Sequence, residues 1–382
     1  MSLIYLDNSA TSFPKAPGVA EAVYRAITKA GTSGRASYDE ALFGSRIIYT
    51  CRENLAKLFS IKDSSRIILN SGTTESLNTV IQGSLKKGGK VLTSQVEHNS
   101  VMRVLNHMSE TKKISIDRFT CLKDGTAVLN SYKKYLDQTP DLVVLCHSSN
   151  VTGAVFPVKE MIDAAHKKNI PVCLDGAQSA GFEPINLEDL QADFFCFSGH
   201  KGLMGPQGTG GFYLGEGRTI EPLIYGGTGS RSHEEYQPEY KPDRFESGTR
   251  NISGIAGLAA SVEFLLKEGI DKIREKEQKL TKLLFYQLNP IEGITIHGPQ
   301  DIGGRNSVLS FTHNKLDVSE IAELLDEKGI AMRMGLHCSP SAHKTLGTFE
   351  TGGTIRLSPG YFNSEKDIME TINVLKEIIY ER

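Results

Sequence analysis

An α/β fold, built on a mostly parallel sheet and followed by a second, smaller α/β domain, is what this 382-residue sequence predicts. Three observations carry that expectation. Between about residues 65 and 215, short β-branched or aromatic runs alternate with amphipathic helical segments, the pattern of strands joined by helical crossovers. Several of these runs end in glycine-rich turns bearing polar residues, and ligands of such sheets gather beyond the carboxyl ends of the strands. Past Pro290 the chain changes character and a new set of short strands begins.

Taken in order, strands are expected at 66–69, 90–93, 114–116, 142–145, 172–174, 194–197 and 211–214, which makes a seven-stranded sheet. Val158 to His166 shows the apolar spacing of one covering helix. Residues 252–289 read as one long helix. Strands at 294–296 and 308–311 then precede a helix opening at Asp317, where Glu320 three residues on resembles a capping box. Further strands near 330–333 and 354–357 and a terminal helix from Ser364 complete the smaller unit.

A composition of 39% hydrophobic and 23% charged residues is that of a soluble globular protein. A formal charge of -2 offers no broad basic surface for nucleic acid or acidic membranes, so neither is an expected partner. No basic segment followed by an apolar run opens the chain, and no stretch approaches the ~18 apolar residues of a membrane span. The six cysteines form no CxxC pair, which favours free thiols and the reducing cytoplasm. Cys146, Cys173 and Cys196 fall in apolar runs and read as small buried hydrophobes.

Lys201 lies in Ser198-Gly199-His200-Lys201-Gly202, directly after the apolar run ending at Phe197. A random glycine-flanked lysine is a solvated loop residue. One delivered from a buried strand into a tight turn is arranged for desolvation and Schiff-base formation. Asn70-Ser71-Gly72-Thr73-Thr74-Glu75-Ser76 follows a strand and opens a helix, so backbone N–H groups and two hydroxyls meet at a positive helix end. That is a phosphate site, a plain threonine N-cap being the bland alternative. Neither a P-loop nor a G-x-G-x-x-G fingerprint occurs, so a phosphorylated cofactor without a nucleotide tail fits better. Asp175 ends a strand ahead of Gly176-Ala177-Gln178; its carboxylate either caps a turn or keeps a heteroaromatic ring nitrogen protonated. His98, past another strand, either caps a helix or stacks on a ring. Cys338 lies in the polar run Gly335-Leu336-His337-Cys338-Ser339-Pro340, where exposure is expected and a neighbouring imidazole would favour the thiolate. A metal reading of His337, Cys338 and His343 lacks a fourth ligand at customary spacing.

Ser-Gly-Thr-Thr-Glu, Glu-His-Asn, Asn-Val-Thr-Gly, Asp-Gly-Ala-Gln, Ser-Gly-His-Lys, Phe-Glu-Ser-Gly-Thr-Arg-Asn and Arg-Met-Gly-Leu-His-Cys occur here in one order. In that order and spacing the chain resembles the cysteine desulfurases and selenocysteine lyases, fold-type-I pyridoxal-phosphate enzymes of the class V aminotransferase group. The resemblance implies a large domain over 13–260 and a small domain made of 1–12 and 261–382. It also implies that Lys201 holds pyridoxal phosphate and moves protons, that His98 stacks on the ring and assists, that Asp175 pairs with the ring nitrogen, and that Gln178 reaches the ring oxygen. Thr73, Thr74, Ser198 and His200 match phosphate-binding positions. Thr228 matches a residue given to the neighbouring subunit's phosphate, which implies a homodimer. Arg356, helped by Asn150, matches the group that grips the substrate carboxylate, and Cys338 matches the nucleophile that takes the substrate's sulfur.

The resemblance therefore implies conversion of L-cysteine to L-alanine, with a persulfide on Cys338 passed to a sulfur-acceptor protein. Selenocysteine lyase, class V aminotransferase and C–S β-lyase activities are the rival enzyme readings, and a non-catalytic scaffold is the rival class. The short run from Cys338 to Arg356 looks more like the selenocysteine lyase-like branch. One departure stands at Gly34-Arg35-Ala36-Ser37-Tyr38, where relatives often carry a histidine shortly after the arginine.

Overall fold

A computed structural model of the chain describes residues 3–33 and 36–380; Gly34 and Arg35, part of the departure just noted, lie outside the described residues. In chain order the elements are β1 (Ile4–Tyr5), α1 (Val19–Lys29), α2 (Asp39–Leu58), β2 (Ile67–Asn70), α3 (Thr73–Ser84), β3 (Lys90–Ser94), α4 (Asn99–Lys112), β4 (Ser115–Phe119) and α5 (Leu129–Leu136). There follow β5 (Leu142–Cys146), α6 (Val158–His166), β6 (Val172–Asp175), α7 (Leu187–Leu190), β7 (Phe194–Ser198), β8 (Gly210–Leu214), α8 (Ile252–Glu268) and α9 (Ile270–Leu288). The last part holds β9 (Ile294–His297), β10 (Leu309–His313), α10 (Val318–Glu327), β11 (Ile330–Ala331), β12 (Arg333–Gly335), α11 (Pro340–Leu346), β13 (Thr354–Leu357) and α12 (Glu365–Tyr380).

The seven expected strands form one sheet in the order β2-β8-β7-β6-β5-β3-β4. Pairs from β7 through β6, β5 and β3 to β4 are parallel, while β8 runs antiparallel to both β7 and β2. Strand alternation divides their side chains between two cores. Val143, Leu145, Leu174, Phe195 and Phe197 pack on one face, and Leu142, Val144, Cys173, Phe194 and Cys196 on the other. Helices cover both faces, which is why these strands read as unbroken apolar runs. Each such side chain contributes roughly 1.5–3 kcal/mol by leaving water.

The C-terminal part adds an antiparallel sheet, β12-β13-β10-β9, with its own core from α9, α10 and α12. Ile4 and Leu6 belong to that second core, because β1 pairs in parallel with β11 rather than joining the large sheet. The two sheets meet through the turn after β5. Asn306 N–H donates to Gly153 O at 2.8 Å, and Ser310 Oγ donates to Val151 O at 2.6 Å. Gly153 takes φ 72°, and a Cβ there would come within 2.7 Å of Val308 O, so only glycine permits this approach.

Two sequence expectations need correction. The stretch 252–289 is two helices, broken at Gly269 with φ 84°, a left-handed position that ends one helix and redirects the next. The strand expected near 330–333 is also split. Ile330 and Ala331 pair with β1, whereas Arg333 to Gly335 pair with β13, so adjacent residues serve different sheets.

Candidate active site

Parallel register brings Cys146 level with Asp175 and Asp175 level with Cys196, so the ends of β5, β6 and β7 open on one edge of the sheet. A cleft of about 560 Å³ lies there. Thr73, Thr74, His98, Asp175, Ser198 and Lys201 line it, together with Asn150, Gln178 and His200. Nine of the twelve residues singled out from sequence thus share one cavity.

One wall is the start of α3. Its N-cap is Gly72, at φ 140°, and a Cβ on Gly210 would lie 2.5 Å from Gly72 Cα. The expected alternative of a threonine cap does not hold, so the threonine hydroxyls are turned to other partners. Thr73 Oγ1 lies 2.8 Å from Ser198 Oγ, and Thr74 Oγ1 lies 3.0 Å from Ser100 Oγ. Hydroxyls and helix-end amides at this point form a ready anion site. Across the cleft, the Nδ1 of His200 is buried without a partner, and burial pushes that imidazole down to about 4.

Asp175 closes the floor. Its Oδ1 accepts the Ala177 N–H at 2.9 Å, and burial raises its carboxyl pKa while Ala177 and Lys201 oppose the rise. Burial likewise pushes the Lys201 amine down to about 8, against the pull of Asp175. His98 caps α4: its Nδ1 accepts the Ser100 N–H at 3.0 Å, which puts the ring proton on Nε2. Burial, then the charge of Lys201, push this imidazole down to about 4, so it is a neutral ring. Gln178 donates through Nε2 to Ser9 O at 3.0 Å, which leaves its second N–H and its carbonyl free.

Arg356 and Cys338 come from the smaller sheet's side. Arg356 Nη1 donates to Asn150 O at 3.1 Å and Nη2 to Asp7 Oδ1 at 2.8 Å, while Nε is buried without a partner. Cys338 is the one exposed cysteine of the six. Its loop is pinned from below: Asn150 Nδ2 donates to His337 O at 2.7 Å, Ser339 Oγ donates to Asn150 Oδ1 at 2.8 Å, and Asn99 N–H donates to Cys338 O at 2.8 Å. His337 and Cys338 both take the left-handed conformation, at φ 47° and 56°. Two non-glycine residues in that region mark a strained loop.

The expected imidazole assistance to Cys338 is overturned. His337 is buried, its Nε2 lies 3.0 Å from Thr354 Oγ1, and burial followed by the charge of Arg356 pushes it down to about 2. It is neutral, so positive charge near the thiol comes from Lys201 and Arg356, both of which interact with Cys338. Thr228 does not line its own chain's cleft; its hydroxyl lies 3.0 Å from Ser230 Oγ.

Sequence reasoning gave no role to two carboxylates that the fold brings here. Asp7 sits between two guanidinium groups, 2.8 Å from Arg356 and 3.8 Å from Arg333. Glu97, fully buried beneath Cys146 and hydrogen-bonded to Ser94 Oγ at 2.6 Å, is pushed up to about 7 by burial. The only available signals were a carboxylate after the apolar run Leu3 to Leu6 and another directly before His98.

The group set fits a phosphorylated, nitrogen-bearing ring: an anion site at α3, a buried carboxylate opposite, a neutral imidazole, and a desolvated amine. The class-V aminotransferase profile matches residues 4–370. The chain belongs to that family. Within the class-V aminotransferases it is similar to proteins named for cysteine desulfurization. It is 34% identical to the "Probable cysteine desulfurase" of Methanothermobacter thermautotrophicus, over 98% of this chain and 94% of that one. The apo cysteine desulfurase of Thermococcus onnurineus NA1 superposes with a TM-score of 0.94 at 30% identity, covering 100% of this chain and 95% of that one. The cysteine desulfurase CsdA of Escherichia coli gives 0.89 at 28% identity, over 99% and 95%. This class-V chain is thus of the NifS-like, cysteine desulfurase group.

Proposed function

We propose that the protein is a pyridoxal-phosphate-dependent cysteine desulfurase that converts L-cysteine to L-alanine and takes the sulfur onto Cys338. The observation that carries this reading is the pairing of an exposed cysteine, on a strained and pinned loop, with a desolvated lysine in the adjoining cleft. Neither the aminotransferase nor the β-lyase reading has a use for that thiol.

Thr73, Thr74, Ser198 and His200 would hold the cofactor phosphate, Asp175 its ring nitrogen, Gln178 its ring oxygen, and Lys201 its aldehyde carbon. When bound, pyridoxal phosphate supplies an electron-accepting ring. Arg356 would orient the substrate carboxylate, a task suited to its planar fork, with Asn150 beside it. Lys201, lowered to about 8, has far more of the neutral amine near and just above neutral pH than a solvated lysine, and that amine would take the Cα proton. His98 stays neutral and stacks, with its Nε2 proton available for donation. Cys338 Sγ, as thiolate, attacks the substrate sulfur; the S–S bond forms as the Cβ–S bond breaks, and the electron pair left on carbon takes protons to give alanine.

A homodimer is part of the proposal. Tyr24, Ile27 and Tyr49 on α1 and α2, and Tyr225 and Tyr236 beyond β8, are large apolar side chains left exposed on a single chain. Thr228, turned away from its own cleft, would serve the neighbouring subunit's phosphate.

The deciding experiment incubates cofactor-loaded protein with L-cysteine and separately with L-selenocysteine, quantifying alanine and pyruvate and weighing the Cys338 peptide. Alanine from cysteine with an added sulfur on Cys338 is the expected result. Pyruvate in place of alanine would establish a β-lyase. Alanine from selenocysteine alone would establish the lyase alternative.

A further inference from the structure

A second concavity lies on the outer side of the Cys338 loop, between α4, the edge strand β4 and α11. At about 1190 Å³ it is larger than the cofactor cleft, and it is lined by Arg103, Arg118 and Lys344 with no carboxylate among its lining residues. All three side chains are exposed. Among the described residues neither Arg103 nor Arg118 has an ion-pair partner, and Lys344 Nζ only overlies the Phe349 ring at 4.9 Å. On a chain of net charge -2, three unpaired cations around one groove form a local anion-attracting field. The groove is continuous with the thiol's own loop. Asn99, on its wall, donates to Cys338 O at 2.8 Å, and Pro340 and Ser341 form the opposite wall two and three residues after the thiol.

We propose that this groove binds the sulfur acceptor, and that the acceptor is a peptide thiol carrying carboxylates. The inference rests on the desulfurase reading, because it needs a sulfur on Cys338 to discharge. In the transfer, the acceptor thiolate attacks the outer sulfur of the Cys338 persulfide. The new S–S bond forms on the acceptor, the bond to Cys338 Sγ breaks, and Cys338 leaves as the thiolate. No external oxidant or reductant is required. The cationic walls hold the acceptor's carboxylates while its sulfur reaches along the loop.

The test uses two probes with the same thiol and different charge, glutathione and its diethyl ester. The holoenzyme is first given one equivalent of L-cysteine, and loss of sulfur from the Cys338 peptide is followed by mass. At low ionic strength glutathione is expected to discharge the persulfide roughly fivefold faster than the ester at equal subsaturating concentration, the size expected of one or two exposed ion pairs. High salt should erase the difference. Arg118→Gln with Lys344→Gln should reduce glutathione to the ester's rate, and Arg118→Glu with Lys344→Glu should make the ester the faster of the two. Discharge by dithiothreitol should be unchanged in both variants. Equal rates for the two probes, or a preference that survives the double substitution, would overturn the groove assignment. If cysteine places no sulfur on Cys338 in the first step, the desulfurase reading itself fails, and the inference falls with it.

Discussion

The cofactor cleft and the Cys338 loop face each other but are built in opposite ways. In the cleft, Asp175 and Ser198 are the last residues of buried strands and Thr73 and Lys201 stand three residues past theirs, so local sequence positions them and parallel register gathers them. The loop has no strand of the large sheet beneath it. The carbonyls of its left-handed turn at His337 and Cys338 are held by Asn150 and Asn99, far away in sequence. A site assembled from strand ends is rigid by default. One held by a few long-range hydrogen bonds is adjustable, which would suit a thiol proposed to meet first a substrate and then an acceptor.

The strongest break in this comparison is on the rigid side. Lys201→Ala should abolish covalent cofactor capture and lower alanine formation by at least about 10³-fold, because one amine performs both attachment and proton transfer. Borohydride reduction followed by peptide mass reads the first effect independently of activity.

Cys338→Ser should separate the two regions. Cofactor loading should match the unsubstituted protein, while alanine formation from cysteine falls by about 10²-fold or more. Wild-type turnover in this variant would refute the role given to the loop.

Asn150→Ala probes the hinge between them with a smaller effect. Removing two side-chain hydrogen bonds, each contributing about 0.5–1.5 kcal/mol, should cost about tenfold in turnover. Amide exchange at residues 337–339 should accelerate while cofactor affinity changes little. A uniform loss of cofactor affinity would instead place Asn150 within the rigid half.

The smallest expected effect is a pH dependence. The neutral amine of Lys201 is the reactive form, and burial lowers its pKa from 10.5 to about 8. The rate of cofactor capture by apo-protein should therefore rise with pH, pass its midpoint near 8 and level off above it. A rate still climbing at pH 10 would mean that the lysine is solvated. His98 and His337, at about 4 and about 2, add no inflection near neutrality.

The contrast also explains what could be read from the chain. The inner strands of the large sheet were legible because both faces are buried, which writes continuous apolar runs into the sequence, whereas the edge strand β4 is largely exposed or half-buried and showed only as the alternation Ile114-Ser115-Ile116. Cleft residues were legible because they sit one to five positions past those runs. The loop was only half legible: the exposure of Cys338 followed from its polar surroundings, but nothing nearby in sequence announces that His337 is buried against Thr354 and near the charge of Arg356. Asp7 was missed for the same reason, since its partner stands 349 positions away. Gly269 was passed over because a lone glycine inside an amphipathic pattern is tolerated as often as it breaks one.

The pairing of β1 with β11 has a consequence for how the protein is made. Residues 4 and 5 leave the ribosome long before their strand partners at 330 and 331 and the arginine that Asp7 holds. During synthesis the large sheet is free to fold while its carboxylate-binding corner is still unfinished. On the desulfurase reading, a nascent chain stalled before residue 356 would therefore already display Lys201 and the proposed phosphate site, yet lack the arginine proposed to grip the substrate. On the same reading, the chain can collect its cofactor before it can do any chemistry with it.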